Sequence, residues 1–131
     1  MGTRSLTYVY EGKHPVVCVY RQYDGYPSGH GAELAEFLDG FDIVNGFGQK
    51  RAKLANGMGC LAAQMVAHFK TEVGNFYLHA PVLDRDDGQD FEYHVYEKDV
   101  IVFNYRKDLV FKGSHAEFAR FCNDVTVSEE A

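Results

Sequence analysis

The sequence has no tryptophan and only three prolines and three cysteines among 131 residues. The cysteines, Cys18, Cys60 and Cys122, are odd in number and lie in apolar patterns, which predicts buried thiols rather than a disulfide framework. No apolar run approaches the roughly 18 residues that a membrane-spanning helix needs. The amino terminus also lacks the pattern of a signal peptide. These absences predict a cytoplasmic chain with no membrane partner.

Positive charge is scarce as well, since 13 Lys and Arg against 19 Asp and Glu give a formal net charge of −6. Surfaces for extended nucleic acid depend on clustered Lys and Arg, so we expect no such partner. The chain has no HExxH, no CxxC and no pair of histidines at helical spacing, and we therefore expect no metal site. GxxxxGK[ST], a strand-linked GxGxxG and GxSxG are missing too, which argues against the common nucleotide, dinucleotide and esterase sites and predicts no cofactor.

What is present is typical of one globular domain over residues 1–131, with 46% hydrophobic and 15% aromatic residues. Residues at strand and helix spacing predict an α+β fold, an antiparallel sheet made of an N-terminal hairpin and a C-terminal meander, with about three helices on one face. A capping box at Ser114 and Glu117 starts the last helix, and residues 124–131 are expected to fray. The predicted strands are 6–10, 16–21, 76–79, 91–96, 100–105 and 109–112, and the other predicted helices are 32–38 and 57–70.

A glycine-rich loop holds the densest group of polar side chains. Between Arg21 and Gly31, three glycines permit backbone angles that other residues avoid, so several side chains can point into one cavity. The alternative is that the loop is ordinary turn chemistry and its tyrosines pack on the sheet. The candidate ligand-binding residues here are Arg21, Gln22, Tyr23, Asp24, Tyr26 and His30.

A second candidate is the start of the predicted long helix, at Asn56 and Gly57, which follows a basic run that includes Arg51. Free amides at a helix start favour phosphate or carboxylate. The alternative is that the cations form a solvated face and the glycines allow close helix packing. Arg4 precedes the first strand, and in an antiparallel hairpin it would lie at the same end of the sheet as the loop after Arg21.

Three segments resemble a family of small uncharacterised phage and bacterial proteins. They are residues 1–7 (MGTRSLT), 20–31 (YRQYDGYPSGHG) and 55–64 (ANGMGCLAAQ). The resemblance covers most of the chain and implies a phage setting without an assigned activity. In size and setting, though not in motif, such a domain is similar to phage proteins that counter host defence, some of which are sponges for nucleotide immune signals.

The leading hypothesis is a non-enzymatic binding module, in a cytoplasmic homo-oligomer, for a small anionic, nucleotide-like ligand. Arg4, Arg21 and the Asn56 helix start would hold phosphate, and Tyr23 and Tyr26 would flank a base. This requires all three pieces to gather around one cavity. One alternative is a small phosphoester-acting enzyme that uses Asp24 and His30 as acid and base. Another is a protein-binding inhibitor of a host defence protein that uses the acidic surface at residues 84–90.

Overall fold

The computed structural model describes residues 2–46 and 53–130. Eight strands and three helices alternate along this part of the chain, with a π-helical turn at Pro27–Gly31. The strands are β1 (Ser5–Glu11), β2 (His14–Arg21), β3 (Asp42–Val44), β4 (Leu54–Asn56), β5 (Phe76–His79), β6 (Phe91–Val95), β7 (Asp99–Asn104) and β8 (Leu109–Ser114). The helices are α1 (Ala32–Leu38), α2 (Gly57–Phe69) and α3 (His115–Glu130). The chain therefore has the predicted α+β fold.

Six strands form the main sheet, in the order β5-β2-β1-β6-β7-β8. The neighbours pair antiparallel except for β1 and β6, which are parallel and bring Thr7 opposite Tyr93. The prediction of an antiparallel sheet is thus correct for every pair but this central one. The parallel pair joins the hairpin to the meander, which places residues far apart in sequence beside each other.

The helices pack on one face of this sheet, as predicted. Strand residues such as Val9, Val19 and Val102 share a buried core with Leu34 of α1, and the same core takes in side chains of α2 and α3. Side chains alternate between the two faces of a strand, so the other residues of β1 and β2 point away from the helices. Those residues form a smaller second core of Leu6, Tyr8, Tyr10 and Cys18.

The structure differs from the sequence-based expectations in two places. β3 and β4 form a short parallel pair where only loop was expected. Pro27–Gly31, expected to be irregular, forms the π-helical turn. α3 extends to Glu130, and the fraying of residues 124–131 stays a prediction. None of the helices in the described part of the chain combines the length and apolarity needed to cross a bilayer.

Candidate functional site

The glycine-rich loop packs tightly against the sheet and does not frame an open cavity. A Cβ on Gly25 would lie 2.8 Å from the carbonyl carbon of Arg4 and 2.8 Å from the Cβ of Ser5. The hydroxyl of Tyr93, on β6 of the sheet, donates to the Gly25 carbonyl oxygen at 2.7 Å. The residue of the loop with a positive φ is Asp24, at 60°, and not one of its glycines. The glycines are therefore needed for close approach, which corrects the expectation that they supply unusual backbone angles.

Arg21 ends β2 on the helix face and is almost fully buried. Its Nη1 donates to Glu33 Oε2 of α1 and, at 3.2 Å, to Nδ1 of His30. Its Nε donates to the Tyr23 carbonyl oxygen at 2.6 Å, and the guanidinium carbon lies 4.9 Å from the centre of the Phe76 ring. These contacts tie β2, the loop, α1 and β5 together, and the guanidinium is neutralised within the chain.

His30 lies in the core, where 1% of its surface is exposed. Arginine has no acceptor, so Nδ1 of His30 must accept from Arg21, and the ring proton sits on Nε2. Nε2 then donates to the Thr7 hydroxyl, 2.7 Å away. Burial, with the nearby Arg21 charge adding to it, lowers the His30 pKa to about 3. At neutral pH the imidazole is an uncharged member of a buried hydrogen-bond chain.

The expected acid and base pair does not form. The Asp24 carboxylate is exposed and accepts a hydrogen bond from the Tyr26 hydroxyl at 3.1 Å, whereas the His30 imidazole faces Thr7 and Arg21 inside the core. The two residues meet only through the backbone, where the His30 amide donates to the Asp24 carbonyl oxygen. Tyr23 is likewise exposed on the surface of the loop.

The three predicted pieces of the ligand site lie in different parts of the molecule. The Arg4 guanidinium lies beside Gly88, in the loop over the second face of the sheet, whereas Arg21 lies on the helix face. Gly57 lines a cavity with the hairpin residues Glu11 and Gly12, at the far end of α2 from Arg21. The expectation of one shared cavity is therefore wrong.

The reasons lie in strand alternation and helix length. Ser5 is paired with Arg21, so Arg4, one residue earlier, projects to the opposite face. Thirteen residues of α2 separate its two ends by about 20 Å. Asn56 makes no side-chain cap of α2, and its Oδ1 instead accepts from the Gly46 amide at 2.8 Å. Gln22 follows β2, and its backbone N–H donates to the backbone carbonyl oxygen of Asn75. Arg51 lies outside the described residues.

The surroundings of Arg21 are acidic. A depression of about 400 Å³ beside it is also lined by three carboxylates, those of Glu33, Glu36 and Glu72. Carboxylates repel an anionic ligand, and the one guanidinium here already donates to Glu33. This side of the molecule does not favour phosphate.

A largely apolar cavity of about 410 Å³ lies between α2 and the β5 edge of the sheet. Its volume falls in the range of small-molecule sites, which are mostly apolar with a few polar groups. Thr7 and His30 form the polar part of the inner wall. The apolar wall residues are Val19, Met65, Val66, Phe69, Phe76 and Leu78.

Lys70 stands at the rim of this cavity, next to the carboxyl end of α2. Its ammonium donates to the Gly74 and Phe76 carbonyl oxygens at 2.9 and 2.8 Å and lies 5.4 Å from the centre of the Tyr77 ring. An ammonium has three donors, so one N–H remains for a further acceptor. Met65 and Phe69 recur at helical spacing in the sequence, but periodicity alone does not reveal that a cavity remains beside them.

The acidic loop at residues 84–90 is partly neutralised by its neighbours. Asp87 accepts from Arg85 Nε at 2.8 Å and lies 3.0 Å from Nδ1 of His79. These contacts, led by the hydrogen bond from Arg85, lower the Asp87 pKa below its ordinary value. Within residues 2–46 and 53–130, no cluster of three His, Cys, Asp or Glu side chains could hold a metal ion.

Comparison of the chain with protein-family models, with curated protein sequences and with solved structures gives no match.

Proposed function

We propose that the protein is a binding module for a small, largely apolar molecule that carries one acceptor or anionic group. The observation that carries the proposal is the cavity of about 410 Å³ between α2 and β5, with its apolar walls and its few polar groups. A ligand there would remove apolar surface of the protein and of itself from water, at about 25 cal/mol per Å². Its acceptor group would meet the remaining N–H of Lys70 at the rim.

Charge supports this ligand class over the nucleotide-like anion expected from the sequence. Arg21, the main cation of that expectation, donates to Glu33, and His30 is uncharged at neutral pH. Burying a phosphate against them would cost more free energy of desolvation than the contacts would supply, because an unpaired buried charge is strongly disfavoured. The phage setting, the sponge role, the homo-oligomer and the inhibitor alternative stay predictions.

Filling the cavity tests the proposal. The Val66→Phe substitution places a ring in the space, and we expect it to weaken binding of the neutral fluorescent probe N-phenyl-1-naphthylamine at least about tenfold, or about 1.4 kcal/mol. Titration of probe fluorescence in the folded protein measures the dissociation constant. A thermal unfolding curve shows that the variant is folded.

Ala63→Phe is the matched control, because it adds the same ring to an exposed position of the same helix. It should leave probe affinity unchanged. Equal affinity of Val66→Phe, Ala63→Phe and the unaltered protein would contradict the proposal, as would the absence of any saturable binding.

The role of Lys70 is tested with a second probe that differs in one group. 8-Anilinonaphthalene-1-sulfonate has the body of the neutral probe and adds a sulfonate. Lys70→Met should weaken binding of the anionic probe about threefold, a change within the usual strength of an exposed ion pair. Binding of the neutral probe should stay unchanged. An equal loss for both probes would show that the substitution alters the cavity and would remove Lys70 from the ligand contacts.

A further inference from the structure

Another cavity, of about 290 Å³, lies on the opposite face of the sheet from the helices. Three of its lining residues form a hydrogen-bonded chain. The Tyr10 hydroxyl oxygen lies 2.6 Å from Nδ1 of His94, and Nε2 of His94 lies 3.2 Å from Oε1 of Glu92. The parallel pairing of β1 with β6 brings these groups together across 84 positions of sequence.

The chemistry of the three groups fixes where the protons lie. The hydrogen bond from His94, followed by one from Gln89, lowers the Glu92 pKa below its ordinary value, so this carboxylate is ionised and only accepts. Nε2 of His94 must therefore carry a proton, and in the tautomer with that single ring proton Nδ1 accepts the hydrogen bond of the Tyr10 hydroxyl. An ionised carboxylate behind an imidazole fixes its tautomer and its ring orientation. The Tyr10 hydroxyl is thus aligned with a nitrogen that can take its proton. Burial raises the Tyr10 pKa above its ordinary value, so this proton leaves only as the oxygen attacks.

Packing holds this chain rigidly in place. The His94 ring stacks on Tyr8 with 4° between the planes and meets Phe103 edge-on, with the ring centres 5.1 and 5.5 Å away. Gln89 donates to the second oxygen of Glu92 at 3.0 Å. Orientation by fixed neighbours is what a base needs in order to act on a hydroxyl.

The cavity in front of Tyr10 has room for a small apolar group with a polar end. Leu83, Ile101 and Phe103 supply apolar walls. Lys107 stands at the mouth, 3.7 Å from Asp84, and both of these side chains are mostly exposed. Tyr10 and His94 are otherwise buried, so a molecule approaching them would do so through this cavity.

We propose that Tyr10, His94 and Glu92 form a nucleophilic site that cleaves small carboxylic esters. The arrangement of carboxylate, imidazole and hydroxyl follows the same logic as a hydrolase triad, with a phenol as the nucleophile. This activity is independent of ligand binding in the cavity between α2 and β5.

The reaction balances with water as the only co-reactant. The Tyr10 oxygen bonds to the ester carbonyl carbon and its proton passes to Nδ1 of His94, whose positive charge is stabilised by Glu92. The bond to the leaving alcohol then breaks, and the alcoholate takes the proton from His94. In the second half, water gives a proton to His94 as its oxygen bonds to the acyl carbon. Tyr10 leaves and recovers its proton, and the products are an acid and an alcohol.

The test uses the full chain with 4-nitrophenyl acetate as the probe. We expect a burst of one equivalent of 4-nitrophenolate, with a single acetyl group on Tyr10 in peptide mass spectra. Tyr10→Phe should abolish this burst, and Glu92→Gln, which keeps the shape of the side chain, should slow it about a hundredfold. Circular dichroism checks that each variant is folded.

Tyr105→Phe serves as the matched control, since Tyr105 is exposed and any tyrosine on the surface can be acetylated slowly. It should leave the burst unchanged. Acetylation spread over exposed tyrosines and lysines with none on Tyr10, or the same Tyr10 acetylation rate in Glu92→Gln, would overturn the proposal. If Tyr10→Phe does not fold, the Glu92→Gln rate decides the question.

Discussion

Acidification from about pH 6.5 to about pH 4.5 should lower the free energy of unfolding by roughly 2 kcal/mol in total through His30 alone. The imidazole is buried between Thr7 and Arg21, and its pKa falls from an ordinary 6.5 to about 3 in the folded protein. Between these values the unfolded chain binds a proton at this position and the folded protein does not. The stabilisation is therefore complete above the ordinary pKa and is lost progressively as the pH falls.

Urea unfolding of the unaltered protein and of His30→Gln across this pH range measures the effect. We expect the variant to be less stable at neutral pH, because it loses a buried ring and leaves Thr7 or Arg21 without a good partner. The difference between the two proteins should shrink as the pH falls. Asp87 and Glu92, whose pKa values lie below their ordinary ones, are present in both proteins, so their titration cancels in this difference. A constant difference between the two proteins over the whole range would show that His30 is not buried as the neutral form.

Gly25→Ala should destabilise the protein by about 2–3 kcal/mol, at the upper end of the usual cost of overpacking. The added Cβ would lie 2.8 to 2.9 Å from atoms of Arg4 and Ser5, including their backbone, which cannot move without disturbing β1. The midpoint and slope of a urea unfolding curve measure the change. Binding of the neutral naphthylamine probe should survive in the folded fraction, because Gly25 does not line the cavity beneath α2.

Gly59→Ala is the matched control for this substitution. A Cβ on Gly59 meets no atom within 4 Å, and the residue lies inside α2 without a positive φ. Alanine there should stabilise the protein by about 0.5–1 kcal/mol, since glycine is a poor residue for a helix interior. Changes of the same sign and size in the two variants would contradict the tight packing described for the glycine-rich loop.

Local patterns predicted the elements of this fold well. The capping box is present as expected, with the Glu117 amide donating to Ser114 Oγ at 3.1 Å and the Ser114 amide donating to Glu117 Oε1 at 2.9 Å. The strand at Phe91–Val95 and the helix at Gly57–Phe69 follow from alternation and from helical spacing. The strands β3 and β4 were missed because each has only three residues, and a segment this short has no period to detect.

The candidate site was harder to predict because it depends on pairing between distant segments. The polar composition of the loop made Arg21 and His30 candidate ligand-binding residues, but composition does not show that their polar atoms are satisfied by Glu33 and Thr7. Glu92 and His94 share a strand face by simple alternation. Their connection to Tyr10 requires the parallel β1–β6 pairing, which no local signal in the sequence indicates.

Nuclear magnetic resonance of the protein with labelled methyl groups shows most directly where a ligand binds. On addition of the neutral naphthylamine probe, the methyl signals of Val19, Val66 and Leu78 should shift together with one dissociation constant, because all three line the cavity between α2 and β5. The backbone signals of Tyr23 and Tyr26, on the surface of the glycine-rich loop, should stay unchanged. Shifts centred on these two tyrosines, with the three methyl groups unaffected, would contradict the binding site described here.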